Sequence, residues 1–310
     1  MVNVGKRKTH FEWWMERIEK LKGYQEEARR LYEITRIAYP AHSWTILKLS
    51  ILAYYVDLYT VIIKSNYKSA FYLDLCAGCG LNHIQETGDI VLGSAIIADR
   101  IPRPNKKFDQ LILIEQDQKK AEALKRILPN AQIIHGDSNS SILAEILNEI
   151  DNKPQSHFLA FIDPEADEIH WQTIEALLKT RGDVIINYMC TSVRRIWGNA
   201  CRGAEKFIER MDRFFGDESW NVCSHAEDLF KLYLEKIKRY KEMVIPIEVK
   251  GPKGFHYHVI VAVRKTGGEQ PWIQVIEKAK EQIERASHED AEIFLQIFSG
   301  KQKTLDMPSS

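Results

Sequence analysis

The chain has 310 residues, 45% of them hydrophobic, and its 43 basic and 43 acidic side chains leave a formal net charge of zero. That length supports one large core with appended helices or two small domains, and the balanced charge argues against a surface coated in basic groups, although a local basic patch remains open. Five cysteines, an odd number in a long chain, argue against a secreted disulfide scaffold.

Residues 1–10 are polar and carry no apolar signal core. Residues 11–38 read as one long helix, with Trp14, Ile18 and Leu21 on its apolar stripe and Pro40 beyond its end. Ser43 is the expected N-cap of a second helix reaching about Lys64. The most apolar stretch, 46–63, lies within it, but Lys48, Ser50, Asp57 and Thr60 mark it as a buried helix and not a membrane span. A soluble, cytoplasmic protein is the expectation.

The pattern then changes. Phe71–Leu75, Leu111–Ile114, Ala131–Ile134, Phe158–Ile162 and Val184–Ile186 are short apolar runs suited to fully buried strands. Helical stretches at 94–101, 117–128, 138–150 and 168–180 separate them, and such alternation predicts a parallel sheet with helices on both faces. Residues 192–242 are mostly helical. Met243–Val249 and Tyr257–Val263 then read as a hairpin around the turn residues Gly251, Pro252, Lys253 and Gly254. One amphipathic helix is expected over about 271–287, with the last ten residues frayed. The fold class is therefore α/β: a Rossmann-like, mostly parallel sheet of seven strands with a terminal antiparallel hairpin. The expected boundaries are a helical N-terminal extension over 1–66, the sheet domain over 67–267 with an insert at 192–242, and a C-terminal helix and tail over 268–310.

Chemistry-bearing residues gather at the ends of the predicted strands, where open α/β sheets bind ligands. Asp74 is followed by Leu75, Cys76, Ala77, Gly78, Cys79 and Gly80, and the two glycines allow a tight turn and a close backbone approach. A dinucleotide turn needs a third glycine, and His83 stands in its place, so a pyrophosphate is disfavoured. An acid ahead of the glycines suits a ligand with a cationic amino-acid end. Glu115, with Gln116 beside it, offers a carboxylate for ribose hydroxyls. It lies farther from Asp74 than the usual roughly 20 positions, which implies an inserted loop over about 81–93. Asp99 is a rival at a more usual spacing, ranked lower because it falls in a helix expected to be capped by Ser94. Asp137, followed by Ser138, can accept from an exocyclic adenine amine or cap a helix. Asp163 and Pro164 end the fourth strand, where Asp163 would position or deprotonate an acceptor. Asn187 ends the fifth.

This series of strand ends with its closing hairpin resembles the class I S-adenosylmethionine-dependent methyltransferases over roughly 70–265. Trp44-Thr45 with Lys48, Gly93-Ser94, Phe161 to Pro164, and Phe214 to Gly216 with Trp220 further resemble the three-Cys-motif partner protein family. The likeness implies S-adenosylmethionine as ligand and a radical-SAM partner protein. By position, Asp74, Gly78 and Gly80 would meet the amino-acid end of the cofactor, Glu115 the ribose and Asp137 the adenine; Cys76, Ala77, Gln116, Ser138 and Asp163 fall beside them. The chain departs from that family in having Glu165 and Ala166 after Pro164, and it lacks the Asn/Asp-Pro-Pro-aromatic signature of amino-methylating nucleic-acid enzymes.

Other features carry less. Cys76 and Cys79 form a C-x-x-C with no second pair at metal spacing, so packing at a turn is the better reading and no metal site is expected. His256 and His258 share one strand face and suit a hairpin surface or cleft rim. Arg194, Arg195, Trp197 and Arg202 follow the fifth strand, and basic and aromatic groups there suit a nucleic acid, RNA or DNA, as acceptor, against a solvated helix face with Trp197 in the core. Trp13 and Trp14 read as packing anchors. Together these residues predict a methyltransferase acting on an acceptor held near Asp163, Pro164, Asn187, Arg194 and Arg195. A non-catalytic binding partner and a nicotinamide oxidoreductase are the alternatives; oligomeric state stays open.

Overall fold

This computed structural model describes residues 9–264 and 271–301. Helix α1 (His10–Lys22) opens on a reciprocal cap: the Thr9 hydroxyl accepts from the Glu12 backbone N–H while the Glu12 carboxylate accepts from that of Thr9. The long helix expected over 11–38 is in fact two. Gly23, the weakest helix former after proline, ends the first, and α2 (Gln25–Thr35) follows and stops at Arg36 in the left-handed region. Trp13 and Trp14 meet edge to face, and both are buried packing anchors.

Strand β1 (Tyr39–Ala41) leads to α3 (Thr45–Asn66). The cap expected from Ser43 does not form. Trp44 holds the N-cap position without a side-chain cap, and the Ser43 backbone N–H donates to Glu86. By length and composition alone α3 could cross a membrane, but two thirds of its most apolar window is buried in the fold.

The chain then lays down β2 (Ser69–Asp74), β3 (Leu81–Ile84), β4 (Ile90–Leu92), α4 (Ser94–Arg100), β5 (Gln110–Glu115), α5 (Gln118–Ile127), β6 (Gln132–His135), α6 (Ile142–Asp151), β7 (Ser156–Ile162), α7 (Trp171–Lys179) and β8 (Asp183–Tyr188). The insert folds as α8 (Cys190–Ala200), α9 (Glu205–Phe215), a 3-10 turn over Glu218–Val222 and α10 (Ala226–Lys238). The closing hairpin is β9 (Met243–Lys250) and β10 (His256–Val263), and α11 (Pro271–Arg285) and α12 (His288–Phe298) end the described chain.

Seven strands run in the order β6-β5-β2-β7-β8-β10-β9. The first five pair in parallel, and β10 is antiparallel to both β8 and β9. The fold is the expected α/β, Rossmann-like sheet with its terminal hairpin. Strand order reverses between β2 and β7, which puts a crevice at their carboxyl ends. One core face is packed by α1, α3, α4, α5, α11 and α12, the other by α6 to α10. The N-terminal helices and C-terminal helices thus share one core with the sheet.

Several expectations need correction. The segment 81–93 is no loop: β3 and β4 form a hairpin, and β1 joins β3 in parallel to make a separate three-stranded sheet. Helix α4 has Gly93 as its N-cap, with Ser94 its first residue. Helix α6 starts four positions later than read, because Asp137 turns the backbone locally by accepting from the Asn139 N–H. The C-terminal segment holds two helices, the second opened by a Ser287–Asp290 cap. The frayed end expected beyond 301 lies outside the described residues.

Candidate functional site

The cleft lies over the carboxyl ends of β2, β5, β6, β7 and β8 and encloses about 1050 Å³. Its floor is the turn after β2. Gly78 (φ +63°) and Gly80 (φ +80°) are left-handed, a conformation that costs other residues energy. Leu75, Cys76, Ala77, Gly78 and Gly80 all line the cleft.

Asp74 does not line it. Its side chain is fully buried beneath the turn, where it accepts from the Cys76 N–H at 3.2 Å and the Tyr72 hydroxyl at 3.1 Å. Burial pushes its carboxyl up to about 7, against hydrogen bonds from Ser94, Cys76 and Tyr72 that favour the anion. Asp74 thus braces from beneath the turn whose backbone lines the cleft.

Glu115 stands where it was expected. It is buried, lines the cleft, and accepts from the Gly78 N–H and the Asp117 N–H, each at 2.8 Å. Each carboxylate oxygen keeps acceptor capacity beyond those bonds. Gln116, Asp137 and Ser138 also line the cleft. Asp137 is exposed, and the Ser138 hydroxyl donates to the Leu75 carbonyl at 2.6 Å, tying the β6 loop to the floor. Asp99 sits on α4 outside the lining and pairs with Arg100.

On the far side, Asp163 is held by two groups. Lys48 of α3 places its ammonium 2.6 Å from Oδ2, and the Asn187 amide donates to Oδ1 at 2.7 Å. Asn187 is 3% exposed, and its Oδ1 is buried with no hydrogen-bond partner among the described residues. Pro164, Lys48 and Asn187 all face the cleft. The acidic loop beyond is tied down as well. The Tyr39 hydroxyl donates to Glu165, Arg210 of α9 bonds Asp167 with Nε–Oδ2 at 2.7 Å, and Glu168 accepts from the Ala166 N–H.

Arg194 and Arg195 are exposed on α8 and do not line the cleft. Besides Lys48, the basic groups that do are Lys120, Lys206, Arg210 and Arg213, together with the aromatic rim residues Tyr39, His42 and Trp44. Sequence reasoning missed these. The spacing of 206, 210 and 213 was a legible signal for one helix face, but nothing in it shows which way that face looks.

Cys79 donates to the Leu81 carbonyl, and burial raises both the Cys76 and Cys79 thiols; no group of three or more metal-ligating side chains occurs among the described residues. His258 stacks on Phe230 with Nδ1 3.1 Å from the Cys190 sulfur, away from the cleft lining. Burial pushes that histidine down to about 4 and the thiol up to about 11, so both are neutral.

No family model matches the chain, and no curated protein does. Among solved structures, it is similar to a Legionella pneumophila protein (14% identity, 76% of this chain and 92% of that one, TM-score 0.44). It is also similar to an O-methyltransferase from Bacillus cereus in complex with S-adenosylhomocysteine (14% identity, 85% and 94%, TM-score 0.40). A third is the O-methyltransferase of tomaymycin synthesis from Streptomyces achromogenes, in complex with S-adenosylmethionine (14% identity, 85% and 93%, TM-score 0.38).

Proposed function

We propose that the chain is an S-adenosylmethionine-dependent methyltransferase. The observation that carries this reading is Glu115, fixed at the tip of β5 against the Gly78 N–H of the glycine turn, which itself opens into a strand. A dinucleotide cofactor needs a helix N-terminus directly after that turn to hold its pyrophosphate. Here Gly80 runs into β3, which opposes the nicotinamide reading. A nucleoside without phosphates suits the site better.

The residues present fit such a group. A side-chain carbon at Gly78 or Gly136 would meet no protein atom within 4 Å, so the backbone there faces open space. In this reading Glu115 holds the ribose, Asp137 the adenine amine, and the Cys76–Gly80 backbone the amino-acid end, flanked by Gln116 and Ser138. Asp74 shapes that backbone from beneath. When bound, the sulfonium supplies an activated methyl group.

The rest falls to the chain's own side chains. Pockets for one small molecule run to about 1,000 Å³, and this cleft slightly exceeds that, leaving room for an acceptor. Asp163 has both oxygens engaged and acts here as a positioning group. The unpartnered Asn187 Oδ1 is the acceptor-side hydrogen-bond site, since buried polar atoms seek a partner. Holding an acceptor there in line with the methyl supplies rate through proximity.

Calorimetry with S-adenosylmethionine and S-adenosylhomocysteine, combined with a methyl-release assay, tests the proposal. Binding of both that is lost in Glu115→Ala supports it. A folded protein that binds neither overturns it, and binding without turnover on any acceptor transfers the reading to a non-catalytic module.

A further inference from the structure

Helix α9 turns one face to the cleft. Lys206, Arg210 and Arg213 line it together. At 1.5 Å per residue they form a cationic track about 10 Å long. Arg210 is committed to Asp167, but Lys206 and Arg213 are both exposed and have no ion-pair partner among the described residues. In a chain of zero net charge, residues 190–215 carry six basic side chains against three acidic ones. The α9 wall of the cleft therefore concentrates positive charge, with only its middle arginine paired, to Asp167.

The cleft also carries a stacking platform. The His42 ring lies on Trp44 with centroids 4.2 Å apart and planes 22° apart, and Trp44 is backed by Phe255 at 4.6 Å. His42 is fixed in plane by Glu86 at 3.0 Å, yet its side chain is 49% exposed. A ring held by an aromatic neighbour on one side and open to the cleft is what an unpaired base stacks on. The cationic track and the aromatic platform line the same cleft, and together they match a polyanion bearing flat rings better than either matches a small metabolite.

We propose that the methyl acceptor is a single-stranded nucleic acid, with its phosphates on the Lys206–Arg213 face and a base stacked on His42. This rests on the methyltransferase reading for the chemistry, but the binding stands apart from it. A duplex would have to expose the base first, so single strands are the fitting form. Phosphates lie a few ångströms apart along a strand, and a 10 Å track therefore faces roughly two or three of them.

The test uses the full chain and fluorescein-labelled 12-mer RNA and DNA of mixed sequence, read by fluorescence anisotropy from 50 to 200 mM salt with S-adenosylhomocysteine present. Binding of at least one of the two is expected, weakening with salt, and the arms show which sugar is preferred. Lys206→Glu/Arg213→Glu should weaken it about tenfold or more and flatten the plot of log affinity against log salt by about 1.4, or 0.7 for each lost phosphate contact. His42→Ala should cost about 5- to 100-fold, while an abasic 12-mer should bind the parent protein more weakly than the base-bearing one. Calorimetric affinity for S-adenosylhomocysteine serves as the folding control and should not change in any variant. Failure of both oligonucleotides to bind overturns the proposal even where S-adenosylhomocysteine binds, which leaves the methyltransferase reading standing. Binding that ignores the charge reversals overturns it too, as does an abasic strand that binds equally well.

Discussion

Lys48, from a helix that precedes the sheet in sequence, reaches the tip of the fourth parallel strand and places its ammonium 2.6 Å from Asp163. Both side chains are less than one-fifth exposed, so each needs the other: removing one partner leaves a half-buried charge uncompensated. The bond also fastens α3 to the β7 side of the cleft. Lys48→Met should lower the melting temperature, and Lys48→Met/Asp163→Asn should recover part of the loss. A double-mutant cycle of thermal unfolding should give a coupling of roughly 1–3 kcal/mol. Additive single-variant effects would show that the pair contributes nothing to the fold.

Glu115 separates ligand binding from stability. In Glu115→Gln the amide oxygen can still accept from one of the two backbone N–H groups while the other loses its acceptor, so the turn should keep its shape at a small cost in stability. The carboxylate proposed to receive ribose hydroxyls is gone, however, and charge-assisted hydrogen bonds are about twice as strong as neutral ones. Affinity for S-adenosylhomocysteine by calorimetry should fall about tenfold or more, with a melting temperature close to that of the parent. Unchanged affinity would remove Glu115 from the site.

The burial of Asp74 gives a pH signature. Its carboxyl, raised to about 7 in the fold by desolvation, ordinarily titrates near 3.8. Between those values the folded state holds a proton that the unfolded chain has released. The associated stability is complete below about 3.8 and is lost as pH rises through 7. Asp74→Asn keeps the shape and cannot ionise. Relative to the parent, its melting temperature should therefore improve between pH 5 and pH 8, since other titrating groups cancel in the difference. A difference that stays flat across that range would mean that Asp74 is not buried as described.

Much of this was legible in the sequence, for physical reasons that also explain the misses. The runs at 71–75, 111–114 and 158–162 are covered on both faces, so they are apolar apart from Asp74 and stand out. Gly78, Gly80 and Glu115 were visible because a turn and a strand tip fix their places. The β3–β4 hairpin was not visible: its strands are four and three residues long, with Asn82 and His83 in the first. Asp74 was found, but not its burial beneath the turn, since successive strand residues point to opposite sides and a strand covered on both faces does not show which side meets the cleft. The cationic face of α9 was missed in favour of Arg194 and Arg195 because proximity in sequence to a strand end is not proximity in space.

Two glycines of the cleft should behave oppositely when changed to alanine. At Gly93, which opens α4, the added carbon would lie 2.8 Å from the Gly80 carbonyl oxygen and 2.9 Å from its carbon. Both belong to backbone that cannot rotate aside, and the Gly93 N–H already donates to that same oxygen at 2.7 Å. The turn and the helix start must therefore move apart, so Gly93→Ala should lower both the melting temperature and the affinity for S-adenosylhomocysteine. At Gly136 the same carbon meets no protein atom within 4 Å and points into space that the proposed nucleoside would use. Gly136→Ala should leave the melting temperature within about 2 °C of the parent, consistent with the small effect of unstrained surface changes, while weakening the ligand several-fold. If Gly136→Ala binds S-adenosylhomocysteine as the parent does, the adenosine end of the cleft lies elsewhere than between β5 and β6.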